Sequence, residues 1–136
     1  MKKSNIAVSA IVIKDKKFLL LKRNNPPFKW GPPGGRVFKG EGLLDAVFRE
    51  TNEEANIKVK ILMPVGIWSG YHDGERLLSI SFLCEYVSGK VEVSTEHSEA
   101  KWLDVEEIRN KNVTHSIKEF IKAKEIKNLF DNKKIY

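Results

Sequence analysis

Residues Ile6 to Ile13 form an apolar run dominated by β-branched side chains, broken once by Ser9. A short run of this kind predicts a strand. Asp15-Lys16-Lys17 predicts a turn, and Phe18 to Leu21 the returning strand. Between Asn24 and Gly35 stand four prolines and three glycines, so an ordered loop is expected there, with no helix or long strand. Leu43 to Ala55 contains neither Pro nor Gly. Its Leu43, Leu44, Ala46, Val47, Phe48, Thr51 and Ala55 predict a helix with one buried stripe. Asn56 follows, and asparagine tolerates the left-handed conformation that often ends a helix. Ile57 to Trp68 predicts one or two strands, Tyr71 to Glu75 a turn, and Leu77 to Val87 a long strand. Ala100 to Leu103 reads as a short strand and Val105 to Arg109 as a helical turn. Ser116 to Phe130 predicts an amphipathic helix with Ile117, Phe120, Ile121 and Ile126 inward. Many strands with two good helices predict an α/β fold, a sheet covered by helices.

Composition narrows the picture. At 136 residues the chain is expected to be a single domain, residues 1–136, and it carries no repeat or low-complexity tract. No apolar run reaches the roughly 18 residues of a membrane span, so no membrane partner is expected. The basic start Met1-Lys2-Lys3 leads straight into a strand rather than a signal peptide. One cysteine, Cys84, excludes an internal disulfide framework and a cysteine-based zinc cluster. The expected home is the reducing cytoplasm, with Cys84 a small buried hydrophobe. The net charge is +6 and the pI about 9.4. Lysines scattered among Glu and Asp predict a solvated surface that tolerates phosphate-bearing ligands. No aromatics interleave a basic stripe, so nucleic acid is not an expected partner.

The chemistry concentrates in Arg49-Glu50-Thr51-Asn52-Glu53-Glu54, inside the first helix. Glu50, Glu53 and Glu54 are spaced i, i+3 and i+4, which projects three carboxylates from one face at the cost of mutual repulsion. A solvated acidic face would explain that pattern by itself. The apolar opposite face anchors the helix, however, and the loop Gly31-Pro32-Pro33-Gly34-Gly35 fixes backbone carbonyls nearby. An oxygen-rich cage on a rigid scaffold suits a hard divalent cation, Mg²⁺ or Mn²⁺, and Mg²⁺ usually keeps substrate phosphate oxygens in its shell.

The spacing Gly35-x5-Glu41-x7-Arg49-Glu50-Thr51-Asn52-Glu53-Glu54-Ala55-Asn56-Ile57 resembles the Nudix box, Gly-x5-Glu-x7-Arg-Glu-aliphatic-x-Glu-Glu-x-Gly-aliphatic. Every charged position and the first glycine match. Thr51 replaces an aliphatic residue, Asn56 replaces glycine, and Pro32 stands where leucine is frequent. Outside the box, Trp30, Pro33-Gly34-Gly35, Lys22-Arg23 and Trp102-Leu103-Asp104 are similar to small members of the family. The resemblance implies a Nudix fold: an α/β/α sandwich with a mixed β-sheet between helices and the box as loop-helix-loop. It also implies hydrolysis of a nucleoside diphosphate linked to another moiety.

Carried over residue by residue, the resemblance makes Glu50, Glu53 and Glu54 metal ligands, with a backbone carbonyl of Gly34 or Gly35 as a further one. Glu50 or Glu53 would be the base or orient the attacking water. Arg49 would orient a box glutamate, with Glu41 as its structural partner. A further metal carboxylate is expected from Glu96, with Glu99 as second choice. Arg23, Phe28, Tyr71 and the Gly34-Gly35 backbone are the candidate substrate contacts. Trp30 and Trp68 are also able to stack on a base, but packing is their default, and Trp102 is expected in the core. His72, His97 and His115 show no ligand spacing, and only His97, beside Glu96, merits attention. Resemblance to small MutT-like members ranks (deoxy)nucleoside triphosphates first as substrates, including oxidised ones such as 8-oxo-purine triphosphates. ADP-ribose or nucleotide sugars come second, and dinucleoside polyphosphates remain open. The rivals are a non-catalytic nucleotide sensor, disfavoured because all box glutamates are present, and action on 5′-triphosphorylated or capped RNA. Because many relatives dimerise, a homodimer is an open expectation.

Overall fold

The computed structural model describes residues 1–122. Two apolar runs joined by a tight turn set its centre: β1 (Lys3–Lys14) and β2 (Lys17–Arg23) form an antiparallel hairpin through Ile13–Phe18 and Lys14–Lys17. The turn places Asp15 and Lys16 at positive φ. The Pro/Gly segment is a loop that still contributes β3 (Trp30–Gly31) and runs into β4 (Gly34–Phe38), which pairs with β1. The pattern missed these strands because prolines flank β3, which is two residues long, because two glycines open β4, and because their pairing partners are distant in the chain.

Helix α1 spans Leu43–Ala55, the span expected. Its stripe differs from the expectation. Leu44 is 50% and Phe48 45% exposed, while Ala46, Val47, Thr51 and Ala55 are buried together with Glu50 and Glu54. The buried face is therefore narrower in apolar residues and includes two carboxylates. Asn56 ends the helix at φ 60°, ψ 36°, the left-handed conformation expected of it.

Two long strands follow, β5 (Lys58–His72) and β6 (Glu75–Ser88). Tyr71 and His72 are not turn residues: they pair with Arg76 and Glu75, leaving Asp73-Gly74 as the turn, both at positive φ. Strand β7 (His97–Leu103) starts three residues earlier than expected because it pairs along β2. Then come α2 (Val105–Arg109) and α3 (His115–Lys122). The remainder of the expected C-terminal helix, with Ile126, lies outside the described residues.

The sheet order is β3-β2-β1-β6-β5, with β4 beside β1 and β7 beside β2. Pairing of β1 with β6 is parallel and the other strand pairings are antiparallel, so the sheet is mixed. Each face carries its own core. Val8, Val12, Leu19, Leu21, Ala46 and Val47 join the sheet to α1. Ile11, Ile13, Phe18, Leu20, Ile117 and Phe120 join the other face to α2 and α3. This is the expected helix–sheet–helix sandwich. Cys84 is fully buried, and burial pushes its thiol up to about 12. Trp102 is half-buried at the core's edge, its ring edge-on to Tyr86. No helix among the described residues is long and apolar enough to cross a membrane.

Candidate active site

Strand β4 and helix α1 bring the acidic residues against the backbone of Gly34 and Gly35. A Cβ on Gly34 would lie 2.3 Å from the carbonyl oxygen of Val8, and one on Gly35 would lie 2.6 Å from Glu50 Oε1. Only glycine at position 34 lets the chain pass this close to the β1 backbone, and at position 35 a Cβ would push the Glu50 carboxylate aside. The Gly34 N–H donates to Glu54 Oε1 at 2.7 Å. Glu50 and Glu54 are each 8% exposed, whereas the Glu53 carboxylate stays open to solvent. Burial raises the Glu50 carboxyl above its ordinary value against the pull of Arg49. Burial, with Glu50, Glu96 and Glu53 nearby, pushes Glu54 up to about 8.

Arg49 organises the cluster. Its Nε and Nη2 donate to Glu41 Oε2 and Oε1 at 2.8 and 2.9 Å, a bidentate pair. Nη1 donates to Glu50 Oε1 at 2.7 Å and to Glu53 Oε2 at 3.4 Å, and Nη2 also donates to the Arg36 carbonyl. The guanidinium lies 4.1 Å from the Phe38 ring centroid. The hydrogen bond to Glu41 is the largest reason Arg49 is held even more firmly protonated than usual, and the same bond lowers the Glu41 carboxyl below its ordinary value. Glu41 also accepts from the Phe38 N–H, which ties the loop to the helix.

Two adjoining hollows frame these groups. One, of about 250 Å³, is lined by Gly34, Gly35, Arg49, Glu50, Glu53 and Glu96 among others. The other, of about 390 Å³, is lined by Arg23, Asn25, Gly31, Glu54, Glu96 and His97 among others. Glu96 borders both. Glu99 borders neither, and its carboxylate is 3.9 Å from Lys22 Nζ. Arg23 lines the second hollow. Phe28 and Tyr71 are exposed and line neither. His97, Asn25 and Thr114 were not singled out as site residues by the sequence. His97 pairs with Arg23 across β7 and β2, and burial lowers its pKa. Only its position beside Glu96 signalled it.

Among the described residues no three acidic, imidazole or thiol groups stand ready as they are to hold an ion. Glu50 and Glu53 are turned onto Arg49, and Glu54 onto Gly34. The donor chemistry nonetheless fits a hard cation. The donors are all carboxylates, two of them are buried, and burial, with neighbouring carboxylates adding to it, holds both of those above their ordinary pKa.

A model of the NUDIX domain matches residues 3–124. The chain belongs to the Nudix family. It is a Nudix hydrolase, acting on phosphoric anhydride bonds. It is 33% identical over 125 residues to an ADP-ribose pyrophosphatase of Methanocaldococcus jannaschii, covering 88% of this chain and 74% of that protein. Among solved structures it is similar to a MutT protein from Methanosarcina mazei, with TM-score 0.79, 29% identity and coverage of 93% and 96% of the two chains. It is also similar to a Caenorhabditis elegans Ap4A hydrolase, with TM-score 0.75, 26% identity and coverage of 88% and 93%.

Proposed function

We propose that this Nudix hydrolase is a Mg²⁺-dependent pyrophosphohydrolase, with Mn²⁺ as a substitute, that cleaves a nucleoside diphosphate linked to another group. The observation that carries this is the meeting of Glu50, Glu53, Glu54 and Glu96 at the Gly34-Gly35 backbone. Carboxylates gathered and partly buried in this way repel one another, and a bound cation relieves that repulsion. Glu50, Glu53, Glu54, Glu96 and a carbonyl of Gly34 or Gly35 would hold the cation. Mg²⁺ bound there would lower the pKa of a water and neutralise phosphate oxygens.

The chain's own residues do the rest. Arg49, locked by Glu41, fixes Glu50 and Glu53 and is a positioning residue. Of Glu50 and Glu53, the two candidates for the base, we assign the proton of an attacking water to Glu53, the more exposed carboxylate. Arg23 faces the neighbouring hollow as counter-charge for substrate phosphate. Positioning and charge neutralisation provide most of the rate in such a reaction.

Nucleoside triphosphates, oxidised purines included, are the first substrate class, following the resemblance of the chain to small MutT-like members. ADP-ribose is the second, favoured by the identity to the Methanocaldococcus enzyme. A panel of (d)NTPs, 8-oxo-dGTP, ADP-ribose, a nucleotide sugar and Ap4A, run with Mg²⁺, tests both. The intact protein is expected to cleave at least one member, and Glu53→Gln to lower that rate about 10²–10⁴-fold. Tight binding of a diphosphate compound without cleavage would instead favour a sensor.

A further inference from the structure

Acids and bases segregate along the last two helices. Asp104, Glu106 and Glu107 open α2, Arg109 ends it, and Lys111 follows. That order suits the helix dipole. In α3, Lys118 and Lys122 stand at i and i+4, one turn apart on a single face. The fold brings these bases together, and Lys29, from the loop before β3, joins them. Lys29, Arg109, Lys111, Lys118 and Lys122 border one hollow of about 650 Å³. Among the described residues no carboxylate lines it.

The apolar side chains of its wall, Ile108, Val113 and Ile121, are buried, so the hollow presents mainly charge. Helix dipoles account for Arg109 and for Lys122 in the last turn of α3. They do not account for Lys29, which lies on a loop, or for Lys118 in the first half of α3. Neutralisation within the fold is partial. Arg109 pairs with Glu106, and Glu119 lies 4.0 Å from Lys122 Nζ. Lys29, Lys111 and Lys118 form no ion pair among the described residues. Lys111 Nζ lies 5.2 Å from the Trp30 ring centroid, and Lys101 Nζ lies 5.5 Å from the same ring. A π-face attracts an ammonium without cancelling its charge. Like charges gathered around one small volume repel, and a concave wall focuses their field. A multivalent anion in the hollow relieves that repulsion.

This hollow is not the one that holds the carboxylates. Lys111, Asn112 and Val113 line it, whereas the next residue, Thr114, lines the hollow of Arg23 and Glu96. The segment between is fixed: the Trp30 N–H donates to the Asn112 carbonyl and the Thr114 N–H to the Trp30 carbonyl, both at 2.9 Å.

We propose that the basic hollow is a second anion site, built for a phosphate chain that carries no base, an inorganic oligophosphate. Ammonium groups act as point-charge partners of phosphate oxygens, and a phosphate chain brings charge on every unit. A nucleic acid would also bring bases, which proteins of that kind stack on aromatic side chains. No Phe, Tyr or Trp lines the hollow among the described residues, and Trp30 is only 7% exposed. The site goes beyond the hydrolase reading and does not depend on it.

The test is calorimetric titration of the full chain with inorganic tripolyphosphate, without divalent cation so that the carboxylate cluster repels the anion. The wild type is expected to show saturable binding. Lys111→Gln/Lys118→Gln is expected to weaken it about tenfold or more, because two charge-assisted contacts become neutral ones. Lys58→Gln/Lys60→Gln, on β5 and outside this hollow, removes the same net charge and is expected to stay within about twofold of the wild type. Arg23→Ala is expected to bind like the wild type, which places the anion outside the hollow of Arg23. Thermal unfolding of each variant checks that it folds. A short single-stranded RNA of the same charge is expected to bind more weakly than tripolyphosphate. Absence of saturable binding overturns the site. An equal loss in the two lysine pairs overturns it as well, since diffuse surface charge then explains the binding. A loss in Arg23→Ala to match that of Lys111→Gln/Lys118→Gln moves the anion to the other hollow and overturns it too. RNA that binds as tightly as tripolyphosphate, and depends on Lys111 and Lys118, overturns the base-free assignment.

Discussion

Glu41 lies just ahead of α1, outside the helix, yet it accepts two hydrogen bonds from Arg49, the residue that aims Glu50 and Glu53. Because Arg49 favours its charged form, Glu41 titrates below its ordinary 4.5. Between the two values the unfolded chain binds a proton that the folded one does not, so acid favours unfolding. The stabilisation is complete above about pH 4.5 and is lost as pH falls through the native value. Urea midpoints of the wild type are therefore expected to fall more steeply from pH 5 to pH 3 than those of Glu41→Gln. Parallel curves would show that the pair contributes nothing. The role of Glu41 was legible only through the family resemblance, since nothing local marks a loop glutamate. Thr51, a departure from the family pattern, is explained by the structure alone. It is fully buried, and its hydroxyl donates to the carbonyls of Val47 and Phe48 at 3.0 Å. A polar atom is thus absorbed by the helix's own backbone.

At the scale of elements, α1 was legible from end to end, because a Pro/Gly-free stretch closed by Asn56 is a local signal. The second departure from the box sits at that end. Asn56 stands where glycine is usual, at φ 60°, and its side-chain amide donates to the Lys90 carbonyl. Asn56→Ala is expected to lose about 1–2 kcal/mol, the cost of holding a Cβ-bearing residue left-handed. Asn56→Gly is expected to stay close to the wild type, since glycine adopts that conformation freely. Equal stabilities of the two variants in urea would show that the conformation costs nothing here. What α1 buries was less legible. Apolar periodicity assigns Leu44 and Phe48 to the stripe, but the sheet contact lies along Val47, Thr51 and Ala55, and the adjoining turn faces Gly34 and Gly35. Which side of a helix meets a distant loop is a tertiary fact. The same holds for β3 and β4, whose pairing partners lie far off in the chain.

Across the whole molecule, charge distinguishes a small nucleotide from RNA as the substrate. The net +6 permits either, so the arrangement of that charge decides. Of the basic side chains lining the two hollows beside the box, Arg49 is committed to Glu41, Glu50 and Glu53, and Arg36 to Glu75. Arg23 and Lys3 remain, and among the described residues neither has an ion pair shown. Two cations release few counterions. By the slope of about 0.9 per neutralised phosphate, raising salt from 50 to 200 mM is expected to lower kcat/KM for a nucleotide by about tenfold at most. An RNA-binding surface with six to ten phosphate contacts would lose about 10³–10⁵ over the same interval. Kinetics of the preferred nucleotide and of a 5′-triphosphorylated RNA, measured at both salt concentrations, separate the two. A steep fall confined to RNA, with RNA also the better substrate at low salt, would move the substrate assignment to RNA ends and require the lysines outside the two hollows to join the binding surface.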